Sequence, residues 1–133
     1  ETKTGASYYL GARHANRETL EWDGDLLVHP DDVKMLLETS GEFICYGDIT
    51  SEDTVCVHVN EKGDVLDFSR EGGDYEWTGP ACMDKKNLTY CSQNVFNMFE
   101  PLCPMRGIKV RAYDIDTYND YIRVSEITKD WIL

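Results

Sequence analysis

Three aspartates, Asp114, Asp116 and Asp120, follow the run "IKVRAYD" in a D-x-D-x3-D spacing. Carboxylates on one short loop can give a divalent cation such as Ca2+ the several hard oxygen ligands it requires. The same segment, "DIDTYND", also reads as an ordinary turn, because Asp, Asn and Thr side chains bond their own backbone there. An EF-hand is excluded. Counted from Asp114, that loop needs glycine sixth and glutamate twelfth, where this chain has Asn119 and Ser125.

Other chemistry-bearing residues are sparse. His58 alternates with Val57 and Val59 and reads as a sheet-face histidine, while His29 precedes Pro30 and reads as a helix-entry residue; His14 is the third histidine. The sequence holds no G-x-S-x-G elbow, P-loop, H-E-x-x-H or GxGxxG. The expectation is a non-catalytic protein. Aromatic residues offer contact area at little entropic cost, and Tyr75, Trp77, Tyr118 and Tyr121 are the candidates for a partner-binding surface.

The elements that must position these groups read mostly as β. "SYYLGA" suggests a short strand, and "WDGD" (Trp22–Asp25) a turn. One helix stands out at about residues 30–39, with Pro30 in its first turn, Asp31 and Asp32 at its positive end, and Gly41 after its stop. "GEFICYGDI" and "DTVCVHVN" suggest an antiparallel pair. "DVLDFS", "QNVFNMFE", "IKVRAYDI" and "YIRVSEITKDWIL" supply further strands between Gly/Pro turns. The long glycine-rich stretch from Asn60 to Lys86 reads mostly as loop, of the functional or mobile kind. Short strands with one lone helix predict an antiparallel β-sandwich in a single domain, residues 1–133.

Composition narrows the partners. A formal charge of −12 argues against nucleic acid, since phosphate binding needs a cationic stripe. It also disfavours anionic membranes unless Ca2+ binds, and favours a basic or cell-surface protein partner. No apolar run approaches the ~20 residues of a membrane span. The sequence starts at Glu1, as a processed product or excised domain would. Five cysteines (Cys45, Cys56, Cys82, Cys91 and Cys103) lack any C-x2-C pair, and with the sequon Asn87-Leu88-Thr89 they suggest a secreted or extracellular glycoprotein with two disulfides. Cys45 and Cys56, one on each run of the expected strand pair, are one possible bridge.

Residues 93–127 resemble the late part of a C2 domain. "QNVFNMFEP", "IKVRAYD", "IDTYND" and "YIRVSEI" fall in the order of that family's "NPVFNETF", "LKVRVYD", D-x-D-x3-D loop and "FIG" strand. The family's proline has no counterpart here, and the glycine of "FIG" is Arg123. The resemblance implies that Asp114, Asp116 and Asp120 are calcium ligands, with Asp64, Asp67 or Asp74 as counterparts of the other ligand loop. Two functional expectations follow. One is a non-catalytic ectodomain module binding a protein through acidic, aromatic loops. The other is a Ca2+-dependent C2-like module binding lipid headgroups or glycans.

Overall fold

Phe43–Gly47 is buried at every position, as a strand must be when both faces of its sheet are covered. The computed structural model, which describes residues 1–131, shows what covers it. The elements run α1 (Thr4–Ala12), β1 (Glu18–Glu21), β2 (Leu26–Val28), α2 (Pro30–Glu38), β3 (Phe43–Gly47), β4 (Cys56–Val59), β5 (Val65–Ser69), β6 (Tyr75–Asp84), α3 (Val95–Phe99), β7 (Gly107–Lys109), β8 (Ala112–Asp114) and α4 (Tyr118–Ile127), with 3-10 turns at Lys85–Asn87 and Glu100–Leu102.

One mixed sheet has the order β5-β4-β6-β3-β7, with β1 alongside β6 as a sixth strand; β2 and β8 form a separate ribbon. β3 and β7 are parallel, Cys45 opposite Ile108, and the remaining strand pairs are antiparallel. Alternation along β3 sends Ile44 and Tyr46 into a core with Tyr8 of α1 and Val95, Phe96 and Phe99 of α3. Phe43 and Cys45 enter a second core with Leu36 of α2 and with Leu26, Val28 and Ala112 of the ribbon. The result is a sheet covered on both sides, a mixed α/β architecture.

The antiparallel sandwich is therefore corrected, and the C2-like topology with it. The helix expected at about residues 30–39 forms at Pro30–Glu38, entered through the His29 Nδ1 that accepts the Asp31 N–H at 3.2 Å. Three segments read as strands are helical. "SYYLGA" lies in α1, where Gly5, Ala6, Tyr8 and Ala12 share the buried side. "VFNMF" buries Val95, Phe96, Met98 and Phe99, an i, i+3, i+4 set that its β-rich composition masked. "YIRVSEI" follows a capping box in which Thr117 and Asp120 satisfy each other's backbone N–H, the signal of a helix start. The end of that expected strand, residues 132–133, lies outside the described residues. The expected loop after Asn60 contains β6, the longest strand described.

The disulfide framework is corrected as well, since all five cysteines are free thiols. β6 runs between β3 and β4, which holds Cys45 and Cys56 two strand spacings apart, about 9–10 Å. Disulfides need Cα atoms within roughly 7 Å. One of the two grounds for expecting export thus falls away.

Gly107 shows how tightly β7 is seated. A Cβ there would meet the Gly63 carbonyl and, at 2.6 Å, the Tyr46 ring, whereas one on Gly11 at the exposed end of α1 would meet nothing within 4 Å. Gly107→Ala is expected to destabilise the fold by about 1–3 kcal/mol through overpacking. Gly11→Ala should stabilise it by roughly 0.5–1 kcal/mol through helix propensity. Urea unfolding of the two variants checks both signs. A thiol titration after unfolding without reductant should count all five cysteines.

Candidate functional site

Two acidic segments emerge side by side from the ribbon. β1 ends at Glu21 and leads through Trp22 to Asp23, Gly24 and Asp25, where β2 begins; β8 ends at Asp114 and leads to Asp116. Leu26 pairs with Asp114 across the ribbon, and the Ile115 N–H donates to the Asp25 carbonyl at 3.0 Å. The Trp22 indole N–H donates to the Leu26 carbonyl at 3.2 Å and pins the approach. Backbone pairing thus fixes D-x-D from one loop against D-x-D from the other.

Asp23, Asp114 and Asp116 open onto a cleft of about 290 Å3 at the start of β6. Asp23, Asp53, Glu76, Asp114 and Asp116 line it, facing a single cation, Arg70. The Arg70 guanidinium sits 5.3 Å from the centre of the Phe96 ring. Glu76 is buried, and its Oε2 accepts the Thr50 N–H at 2.7 Å and the Thr50 hydroxyl at 3.1 Å. Trp77 forms another wall, braced edge-on by Phe68 and Phe99.

Negative charge accumulates here without compensation. Burial, followed by the charge of Asp23, pushes the Glu21 carboxyl up to about 8. Burial again, followed by Asp116, Asp25, Glu76 and Asp23, pushes Asp114 up to about 7. Asp23 is raised by burial and by Asp25. Glu21 Oε2 is buried with no hydrogen-bond partner, which is costly for a polar atom. Hard carboxylate oxygens crowded in this way have the donor chemistry of a divalent-cation site. Among the described residues no three acidic, histidine or cysteine side chains already converge on one point, so binding would require these side chains to turn inward. Asp23, Asp114 and Asp116 are the residues that would hold the ion, with Asp25 on the adjoining turn.

The structure separates the three aspartates singled out in the sequence. Asp114 and Asp116 enter the cleft. Asp120 caps α4: its Oδ2 accepts the Thr117 N–H at 3.0 Å and the Thr117 hydroxyl at 2.7 Å, and Arg123 donates to its Oδ1 at 3.2 Å. The Thr117 and Arg123 hydrogen bonds hold its pKa below the usual range. Asp64 instead accepts from Asn60, Asp67 lies 2.6 Å from His58 and Asp74 accepts the Val59 N–H, so none of the three lines the cleft. Of the aromatic set, Tyr75 stacks on Tyr46 beneath Lys109, and Tyr118 and Tyr121 stack on each other on the outside of α4. Asn87 sits in a 3-10 turn, its amide donating to Glu42 at 2.8 Å. Sequence reasoning missed Glu21, Asp23 and Asp25. The available signal was that D-x-D occurs twice, in each case beside a strand, while "WDGD" read only as a turn.

No protein-family model matches the chain. No curated protein matches it. Solved structures do, and they show the fold that the chain shares with them. Over the whole chain it superposes on the inositol-1-phosphate CTP transferase of T. maritima with a TM-score of 0.74 at 15% identity, covering 65% of that protein. HddC of Yersinia pseudotuberculosis matches over 95% of this chain and 62% of its own, with a TM-score of 0.70 at 13% identity; another structure of it is complexed with GMP-PN. A Bacillus anthracis protein assigned as a glucose-1-phosphate thymidylyltransferase, in complex with sucrose, gives 0.68 at 12% identity over the whole chain and 64% of its own. The chain thus spans a little under two thirds of the length of these proteins, and at such identities what they share with it is the fold.

These neighbours overturn the C2-like resemblance, and with it the expectation of a non-catalytic ectodomain module and its calcium-dependent alternative. The fold is one that enzymes use. Nothing in these neighbours or in the described residues specifies calcium.

The raised carboxyls set the sign of a pH effect. Glu21 and Asp114 titrate above their ordinary 4.5 and 3.8 when folded, so the native state holds more protons in between. Their contribution to stability is complete below about pH 4 and is lost as pH rises towards 8. In EDTA, the melting temperature of the wild type should fall more steeply from pH 5 to 8 than that of Glu21→Gln/Asp114→Asn. His58, raised by Asp67, contributes the same sign in both proteins and cancels in the comparison. Mg2+ or Mn2+ at pH 8 should raise the wild-type melting temperature and leave the variant nearly unmoved. Parallel pH slopes would contradict the assignment.

Proposed function

We propose that this chain carries the acidic, cation-dependent part of a nucleotidyl-transfer site whose acceptor is a phosphorylated sugar or polyol. The observation that carries this reading is the meeting of Asp23 with Asp114 and Asp116 in one cleft, opposite Arg70, with Asp25 on the adjoining turn, in a fold shared with transferases. The acceptor class is suggested by the inositol-1-phosphate and glucose-1-phosphate in the names of two neighbours.

In such a reaction an acceptor phosphate oxygen bonds to the α-phosphorus of a nucleoside triphosphate. The bond from that phosphorus to the bridging oxygen breaks, and pyrophosphate leaves with the electron pair. Almost all the catalysis in phosphoryl transfer is positioning and charge stabilisation. A divalent cation, when bound, supplies the positive charge that lets phosphates enter a cleft lined by five carboxylates. Asp23, Asp114 and Asp116 would hold the ion, with Asp25 on the adjoining turn, and Arg70, its guanidinium laid on Phe96, would hold a phosphate oxygen. Trp77 and Thr78 form the wall against which the acceptor rests.

Pyrophosphate release from CTP, UTP, dTTP or GTP, with hexose and inositol 1-phosphates as acceptors and Mg2+ or Mn2+ present, tests this on the full-length protein. Release should require triphosphate, acceptor and cation together. Asp114→Asn/Asp116→Asn should lower the rate by about a hundredfold or more, and Arg70→Ala should raise the acceptor KM by about tenfold. No release with any pairing, or full activity in the double variant, would sink the reading.

A further inference from the structure

We infer that the pocket at the C-terminal end of α1 is a binding site for a polyphosphate group, separate from the acidic cleft. It encloses about 350 Å3 and is lined by Tyr9, Ala12, Arg13, Lys85, Lys86 and Leu88. Three cations and no carboxylate line it, on a chain whose formal charge is −12. Such a concentration of positive charge against the net sign of the molecule is what an anionic ligand selects. Its volume lies in the range of small-ligand pockets, whereas an acidic protein partner would meet a broader, flatter surface.

The cationic heads are differently prepared. Lys85 Nζ donates to the Ala15 carbonyl at 2.6 Å, which fixes its direction. Lys86 Nζ stands 3.8 Å from Asp84, a carboxylate also paired with Arg17 at 3.3 Å, so Lys86 makes only a long contact with it. Arg13 has no ion-pair partner among the described residues. Ala12 and Leu88 give a buried apolar floor, and the Tyr9 ring, braced edge-on by Tyr90 at 5.7 Å, gives an aromatic wall. Three cations match the charge of a diphosphate or triphosphate better than that of a single phosphate monoester. The acidic cleft lies at the opposite end of β6: from Thr78 to Asp84 the strand advances about 20 Å.

Calorimetric titration with inorganic pyrophosphate and with a nucleoside triphosphate, in EDTA and low salt, tests the site while the acidic cleft is without its cation. Saturable binding is expected. Arg13→Glu/Lys86→Glu should weaken it by about tenfold or more, with Arg13→Gln/Lys86→Gln as the milder pair should the first fail to fold. The equal charge change Lys34→Glu/Lys62→Glu, and the cleft variant Asp114→Asn/Asp116→Asn, should both leave affinity within roughly threefold. Equal affinity for the two ligands assigns the site to free polyphosphate; tighter triphosphate binding that Tyr9→Leu removes assigns a base to the Tyr9 wall. Either result upholds the site. No saturable binding, equal loss in the Lys34/Lys62 control, loss in the cleft variant, or a polyglutamate peptide binding as tightly as pyrophosphate would overturn it.

Discussion

The hydrogen-bonded ladders of β6 carry the rest of the molecule. Its ten residues pair with β3 on one side and with β1 and β4 on the other, so one strand ties together the start, middle and edge of the sheet. Its register against β3 is fixed because β3 is buried on both faces, and slipping by one residue would exchange the two cores. Ala81 and Met83 fill one of those cores, while Glu76 and Thr78 are held at the rim of the acidic cleft. Position along a single strand therefore sets the spacing of the cleft from the basic pocket beyond Asp84.

A rigid sheet also explains how the carboxylates stay together. Left to themselves, Asp23, Asp25, Asp114 and Asp116 would move apart, since like charges at short range repel by amounts that grow as water is excluded. The Leu26–Asp114 pairing and the Ile115–Asp25 backbone hydrogen bond hold their loops in place. Burial, with this repulsion after it, makes the carboxyls retain protons, which is why Glu21 and Asp114 titrate so high. Electrostatic strain of this kind is tolerated where a ligand relieves it, and a divalent cation would do so. The same fold gives Asp120 the opposite fate, because a helix N-terminus rewards a carboxylate that it can bond.

Electrostatics also assign different work to residues of the same type. Arg70 and Arg13 both face pockets, but Arg70 is surrounded by acids and Arg13 by lysines. Arg111 and Lys109 are committed to Asp32 and Asp48, with a bidentate pair in the first case and a 2.7 Å contact in the second. The acidic surplus that first suggested a basic protein partner is thus divided unevenly, with one cleft more negative than the average and one pocket positive.

Some of this was legible in the residues themselves. The helix at Pro30–Glu38 was readable because its start, face and stop agree locally. Asp114 and Asp116 stood out because hard ligands at close spacing carry their own chemistry. His29 was placed by the helix-start proline that follows it, and His58 by alternation with its flanking valines. Short apolar runs such as "VFNMF" and "YIRVSEI" were misread, since strand and helix share those residue types and only contacts with α1 or a cap separate them. By itself the sequence determined local order, charge and two of the acids. Tertiary structure alone decided that β6 divides β3 from β4, which keeps Cys45 and Cys56 apart, and that a turn some ninety residues upstream brings Asp23 and Asp25 beside Asp114 and Asp116. Strand order and loop proximity depend on long-range pairing, and long-range pairing is set by how whole faces bury rather than by any short stretch of chain.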